Sequence, residues 1–421
     1  MSVADEAASA ELIEDAAGLE RLVERIGEEP VYAMDTEFHR ERTYFAQLAL
    51  VQIGWDGHVA LVDPLEVDLE PLAELFARPS VAVMHAARQD IEVLERSCGR
   101  VPECIVDTQL AAGFLGYTAP SLSALVEREL GVRLPKADRL TDWLRRPLSD
   151  AQLTYAASDV AHLVQVYHRL DERLRERNRL AWLDEAMTEL LDEPRGAREP
   201  TEAWRRIKEV RHLRGRDLAV AKAVAAWREE RAIELDVTPR FVLSDLGVVG
   251  VAASKPGTIE ELRQIRGVDG RALRSGSAQD LVDLVARAVA NPPRSQPGPG
   301  HPELPAELRP AVPLVSAWVS QLARDLEIEL ALLATRADLE DLLRGDPNAR
   351  LATGWRAELV GEPVRRLVDG EVALAFDRAG GLVLEPRSGA SGRSGASFGG
   401  STRGGGSIDS SPTPQAPGAE T

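Results

Sequence analysis

Apolar residues recur along the first part of the chain in short blocks of strand length. "PVYAMDTEF", "QLALVQIG" and "HVALVDP" are three such blocks, with "WDG" dividing the second from the third. Spacing this tight predicts an antiparallel meander. "LEPLAELFARP" then reads as a helix, "SVAVMHA" as a strand and "RQDIEVLERSC" as a helix. From there to about residue 190 the period is helical, through "SLSALVERELG" and one long segment, "DAQLTYAASDVAHLVQVYHRLDERLRERN".

Breaks in this pattern divide the chain. "LDEPRGAREPTE" has the composition of a linker, and beyond it residues 199–290 form a helical block punctuated by "VTP", "SKPGT" and "GVDG". "NPPRSQPGPGHPELPAE" is too rich in proline for regular structure, and a smaller helical block follows it. The predicted layout is an α/β domain over 1–197, all-α domains over 199–290 and 303–380, and a disordered Gly/Ser-rich tail over 387–421.

Charge changes the picture locally. A net charge of −18 argues against a surface that binds nucleic acid everywhere, but a binding footprint depends on distribution. Block 199–290 carries 16 Lys and Arg against 14 Asp and Glu, and Arg205, Arg206, Lys208, Arg211, Arg214 and Arg216 crowd one short span. Cys98 and Cys104 are the only cysteines, too few for a disulfide scaffold or a Cys-rich zinc site. No apolar run approaches the roughly 20 residues that span a membrane. The acidic N-terminus lacks the order of a signal peptide. The expected location is the cytoplasm, with no membrane association.

Several acidic residues stand where an apolar pattern gains nothing from them. "MDTEF" places Asp35 and Glu37 two apart on a strand, hence on one face. Asp90 falls near the start of the helix in "HAARQDIEVL", and "LTYAASDV" sets Tyr155 and Asp159 one helical turn apart. Each alone has an ordinary explanation: a solvated strand end, a carboxylate near a helix N-terminus, a half-buried tyrosine beside an aspartate. Together, four carboxylates can serve two divalent cations, since Mg²⁺ prefers oxygen ligands. Two such ions stabilise the attacking and leaving oxygens of a phosphoryl displacement. His85, at a strand end, is not read as a metal ligand.

"MDTEF", "HAARQDIEVL" and "YAASDV", in this order, resemble the three exonuclease motifs of the DEDD superfamily, and a tyrosine four before the last aspartate matches its DEDDy branch. More closely, "MDTEFHRERTYFAQLALVQIG", "LVDPL", "DTQLAAGFLG" and "TDWLRRPLSDAQLTYAASDV" are similar to the catalytic domain of bacterial ribonuclease D. The resemblance implies a ribonuclease H-like fold, a mixed sheet flanked by helices. It also implies 3′→5′ hydrolysis of RNA to nucleoside 5′-monophosphates with two divalent ions, Mg²⁺ or Mn²⁺. Asp35, Glu37, Asp90 and Asp159 then become metal ligands, and Tyr155 positions the water.

The helical blocks resemble two HRDC-type domains: "WRE", "PRFVLSD" and "KPGTIEEL" carry the first, "LVSAWVSQLARDLEIELALLATRADLEDLLRG" the second. A basic first helix with Arg205, Arg206, Lys208 and Arg211 is the expected RNA-phosphate surface. In the nuclease domain Arg145 and Arg146, beside Trp143, are the leading phosphate candidates, with Arg40, Arg42, Lys136 and Arg139 behind them. The second block is expected to pack on the others and complete a funnel for 3′ single-stranded ends. The expected partners are RNA, in particular tRNA precursors and other small structured RNAs. The chain is read as a monomer, with protein partners left open. A 3′→5′ DNA exonuclease in repair and a non-catalytic RNA-binding scaffold are the alternatives.

Overall fold

The computed structural model describes residues 10–135, 141–268, 277–290 and 304–387. Lys136 and Arg139 lie outside the described residues, as does the tail beyond residue 387.

The meander forms as its pattern dictates. β2 (Val31–His39), β3 (Gln47–Trp55) and β4 (His58–Val62) pair antiparallel in succession. Asp56 and Gly57 close the second hairpin with positive φ at both positions, the geometry that matches strand twist. Two short strands and one of the expected strands complete the six-stranded sheet. β1 (Glu11–Ile13) runs parallel to β4, β5 (Val81–Met84) parallel to β2, and β6 (Cys104–Asp107) parallel to β5, giving the order β1-β4-β3-β2-β5-β6. β6 falls in the stretch whose period reads as helical, because four residues are too few to display a period of their own.

One face of the sheet is covered by α1 (Ala16–Ile26), α2 (Glu70–Phe76) and α3 (Arg88–Cys98), around Leu22, Met34, Ile53, Phe76 and Leu94. Then come α4 (Thr108–Gly113), α5 (Leu122–Leu130) and the long helical segment, which the structure divides at His162 into α6 (Asp150–Ala161) and α7 (Leu163–Glu176). His162 leaves helical geometry at φ −113° and ψ 1°. α6 lies on the opposite sheet face, over Ala33, Leu50, Leu61 and Val83, and α7 packs on β5, α4 and α5. α8 (Leu180–Asp192) closes this part. Ser149 and Gln152 start α6 with a reciprocal capping box.

Block 199–290 has its own core around Val220, Val224, Leu243, Val251 and Leu281. The expected basic first helix is instead two 3₁₀ turns, Pro200–Arg206 and Lys208–His212, separated by extended Ile207. They are followed by α9 (Gly215–Leu235), α10 (Pro239–Val242), α11 (Asp245–Ser254), α12 (Ile259–Arg263) and α13 (Ser277–Ala290). The block docks on the loop after β2. The Tyr44 hydroxyl donates to buried Glu229 at 2.7 Å, and Asp236 accepts the Tyr44 and Phe45 N–H groups at 3.1 Å.

Residues 304–387 depart from the expected all-α domain in two ways. Helices α14 (Ala311–Asp325), α15 (Leu330–Leu333), α16 (Arg336–Arg344), α17 (Gly354–Arg356) and α18 (Glu362–Val368) end in a hairpin, β7 (Val372–Phe376) with β8 (Leu382–Pro386). This unit also has no core of its own. Phe114, Val166 and Leu183 of the first part share one apolar cluster with Val315, Leu333, Trp355 and Val360. Trp182 stacks on Trp355 at 4.8 Å between centroids. Fully buried Arg356 donates to the Leu332 carbonyl at 2.8 Å and pairs with Glu189. Among the described residues, no helix is long and apolar enough to cross a membrane.

Candidate active site

β2 carries Asp35 and Glu37 on the sheet face that α6 covers. Their partners across β3 are Gln52 and Leu50, and the register breaks just after Glu37, between it and Phe38. Asp90 arrives from the first turn of α3 and is 7% exposed. Its carboxylate accepts the Thr36 hydroxyl at 2.5 Å, which ties α3 to β2. Asp159, 8% exposed, comes from α6, and the Tyr155 hydroxyl one turn earlier donates to it. The Trp143 ring lies 6.1 Å from that of Tyr155.

Electrostatics bind these residues into one set. Burial holds the Asp35 carboxyl well above the usual carboxylate range, and the charges of Asp90, Asp159 and Glu37 push it further. Glu37 rises to about 8, by burial and then by Asp159 and Asp90. Asp159 rises to about 7 by burial, against the Tyr155 hydrogen bond, and Asp90 to about 6 by burial, against the bond from Thr36. The Tyr155 phenol is raised by burial and then by Asp159, Glu37 and Asp35, so it keeps its proton. Such a group of buried like charges favours a cation or bound protons.

The donor chemistry therefore fits hard divalent cations, which take carboxylate oxygens. Among the described residues, no three His, Cys, Asp or Glu side chains are gathered as closely as a bound ion would draw them.

Three positioning residues lie within the quoted motifs, which alone assign them no role. Asp107 at the end of β6 accepts the N–H groups of Ala86 at 3.0 Å, Ala87 at 2.9 Å and Gln109 at 2.8 Å. Ala86 has φ +57°, so this carboxylate holds a left-handed turn that aims α3, and with it Asp90. The signal is an aspartate directly before a helix, the N-cap pattern. Gly54 of β3 lets α6 approach: a β-carbon there would meet the Val160 carbonyl oxygen at 2.8 Å. Its signal is a glycine inside an apolar strand. Asp63 is the third, and it acts through Arg146.

The basic candidates divide. Arg146 is not a free phosphate ligand. Its guanidinium forks onto buried Asp63, reaching Oδ1 at 2.6 Å, and donates to the carbonyls of Ala49 and Trp143 at 2.7 Å. Arg206 is likewise committed, pairing with Glu229 at 2.7 Å where the middle block docks. Arg205 pairs with Glu202, and Arg40 with Glu92 at 2.6 Å. Arg42, Arg145, Lys208 and Arg211 are exposed, although Arg211 also donates to the Arg205 carbonyl at 2.9 Å. His85 bridges Thr108 at 2.9 Å and the Pro120 carbonyl at 3.1 Å.

A mixed sheet bearing half-buried carboxylates at two strand positions and buried ones from two helices, followed by a separate helical block, is the architecture of a 3′–5′ exonuclease with an appended HRDC domain. The 3′-5′ exonuclease family model matches residues 10–175, and the HRDC domain model residues 217–285. Ribonuclease D of Acidiphilium cryptum is 39% identical over 375 residues, covering 86% of this chain and 94% of that protein. Ribonuclease D of Jannaschia sp. is 38% identical over 364 residues, covering 83% and 93%. The crystal structure of Escherichia coli RNase D superposes with a TM-score of 0.74 at 31% identity, covering 86% of this chain and 99% of that one. The catalytic core of RRP6 from Trypanosoma brucei does so at 0.58 and 26%, covering 67% and 80%. The chain belongs to the ribonuclease D family of 3′–5′ exoribonucleases, whose chemistry depends on divalent metal.

Proposed function

We propose that this exoribonuclease works in the cytoplasm, trimming the 3′ ends of tRNA precursors and other small structured RNAs with two divalent ions, Mg²⁺ or Mn²⁺. The observation that carries the reading is the gathering of four carboxylates, all raised by burial and two of them, Asp35 and Glu37, raised further by the charges of the others, beside a phenol that keeps its proton. Asp35, Glu37, Asp90 and Asp159 are the residues that would hold the ions. When bound, the ions neutralise phosphate charge and act as Lewis acids in an in-line displacement. The Tyr155 oxygen accepts a hydrogen bond from the attacking water and turns its lone pair toward phosphorus. Because Tyr155 stays protonated, it orients the water and does not take its proton. Water adds to phosphorus as the bond to the 3′ oxygen breaks, releasing a nucleoside 5′-monophosphate and a shortened chain with a new 3′ hydroxyl.

The structured-RNA substrate class is supported by the Escherichia coli relative, described as an exoribonuclease involved in structured RNA processing. Exposed Arg145, Lys208 and Arg211 are assigned to phosphates. Residues 304–387 are assigned as a second HRDC-like unit that has fused its core with the nuclease domain. Digestion of matched 3′-labelled RNA and DNA oligonucleotides, and of a tRNA bearing a 3′ extension, with Mg²⁺, Mn²⁺ or EDTA tests the reading. The expected products are 5′-monophosphates from RNA in the presence of metal. Equal or faster hydrolysis of DNA, or an untouched 3′ extension, would overturn the substrate assignment.

A further inference from the structure

The segment joining α9 to α11 exposes more apolar surface than its fold requires. Val242 and Leu243 turn into the core of the block, while Leu235 is 50% exposed, Phe241 47% and Leu246 52%. Among the described residues, Phe241 and Phe376 are the aromatic side chains that stand exposed. Apolar residues grouped in this way on a polar rim mark an interaction site.

The rim identifies the partner. The acids of this segment are already engaged: Glu234 pairs with Arg231 at 2.5 Å, Asp245 holds Arg228 at 2.7 Å, and Asp236 accepts the Tyr44 and Phe45 amides at 3.1 Å. Arg240, adjacent to Phe241, has an 80% exposed side chain and only a 3.8 Å approach to Asp245. Arg42 supplies a second exposed guanidinium, since its carbonyl accepts the Thr238 N–H at 3.4 Å at the foot of the same turn. An exposed aromatic side chain with one exposed arginine next to it in sequence and another on the adjoining loop suits a nucleic-acid strand, whose bases stack and whose phosphates need neutralising. Arg42 follows Glu37 by five residues, so at most about 18 Å of backbone separates the catalytic strand from this contact.

We infer that Phe241, with Arg240 and Arg42, forms a stacking site for a base of single-stranded RNA upstream of the scissile bond, at the seam between the HRDC and exonuclease domains. The inference rests on the RNA substrate proposed above. Stacking would hold the strand after each cleavage while the next nucleotide enters, in a way that tolerates any sequence.

The test uses the full chain in EDTA with single-stranded RNA carrying 2-aminopurine at successive positions from the 3′ end. Phe241→Ala should weaken RNA binding about tenfold and abolish quenching at one position. Phe241→Trp should keep both, and Arg240→Ala should lower the salt slope by about 0.7. Turnover of a saturating dinucleotide with metal should be parental in all three. If the parent binds RNA and Phe241→Ala binds it equally, with unchanged quenching, the stacking site is refuted and the patch belongs to a protein partner. If the parent itself neither binds nor degrades RNA, the substrate assignment fails instead.

Discussion

Gly54 of β3 lies directly beneath Val160 of α6, so close that a β-carbon on the glycine would meet the Val160 carbonyl oxygen at 2.8 Å. That contact sets the height of the helix carrying Tyr155 and Asp159 above the strand carrying Asp35 and Glu37. The atom in the way is backbone, so Gly54→Ala must lift α6. A misplacement approaching 1 Å at reacting groups costs on the order of 10²-fold. Gly54→Ala should therefore lower kcat ten- to a hundredfold while RNA affinity changes little. Single-turnover kinetics beside equilibrium RNA binding would check it, and a parental rate would mean that α6 is positioned from elsewhere.

The raised carboxylates make a linked statement about stability. Asp90, Asp159 and Glu37 have native values of about 6, 7 and 8, against roughly 4 in an unfolded chain. Between those limits the native state holds more protons than the unfolded one, so stability falls as pH rises. Below about pH 4 both states are protonated and the penalty vanishes. Metal-free protein should thus melt progressively lower from pH 5 to pH 8, and Mg²⁺ or Mn²⁺ should restore more of the loss at the upper end.

Asp35 stands where the other three charges meet. Asp35→Asn removes one member of a repelling group, so it should flatten the pH dependence of melting in EDTA and leave the metal-free fold as stable or more stable. Hydrolysis should be abolished at saturating Mg²⁺. The two readouts are independent: an active variant would refute the metal-ligand assignment, and an unchanged pH slope would refute the charge coupling.

Strand period and short motifs are local, and they carried the meander, the four carboxylates and Tyr155 from sequence into structure. What could not be read depended on partners distant in the chain. β1 and β6 are three and four residues long and exist as strands because β4 and β5 offer them edges. Arg146 reads as a phosphate ligand until Asp63, 83 residues earlier, is placed beside it. Arg206 reads as part of a basic helix until Glu229 and Tyr44 meet it across a docking surface. The expected packing of the last block on the others is met, but its amphipathic period could not name Phe114 and Trp182 as the residues that share its core.

That shared core changes what a truncation should do. Ending the chain at residue 290 strips Trp355, Leu333 and Val360 from Phe114, Leu183 and Trp182. The nuclease part should then aggregate or melt far below the full chain, despite an intact active-site sequence. In the full chain Trp355→Ala should cost about 3–5 kcal/mol. A monomeric, cooperatively folding and active 10–290 fragment would show the units to be energetically separate.

Tyr155 offers the narrowest test of the chemistry. Tyr155→Phe keeps the ring beside Trp143 and all four carboxylates, and removes only the hydroxyl that donates to Asp159. RNA affinity should not change, because no phosphate contact is lost. Asp159 loses a hydrogen bond that favours its charged form, so its pKa should rise a little further and metal binding should weaken modestly near neutral pH. The main loss is orientation of the water, and misplacing a reacting group costs on the order of 10²-fold, so a fall of that order is expected. That fall should persist at saturating metal and at high pH, where Asp159 is ionised in both proteins. Recovery of the parental rate under those conditions would reduce Tyr155 to a support for the Asp159 charge, and the water would have to be oriented by another group.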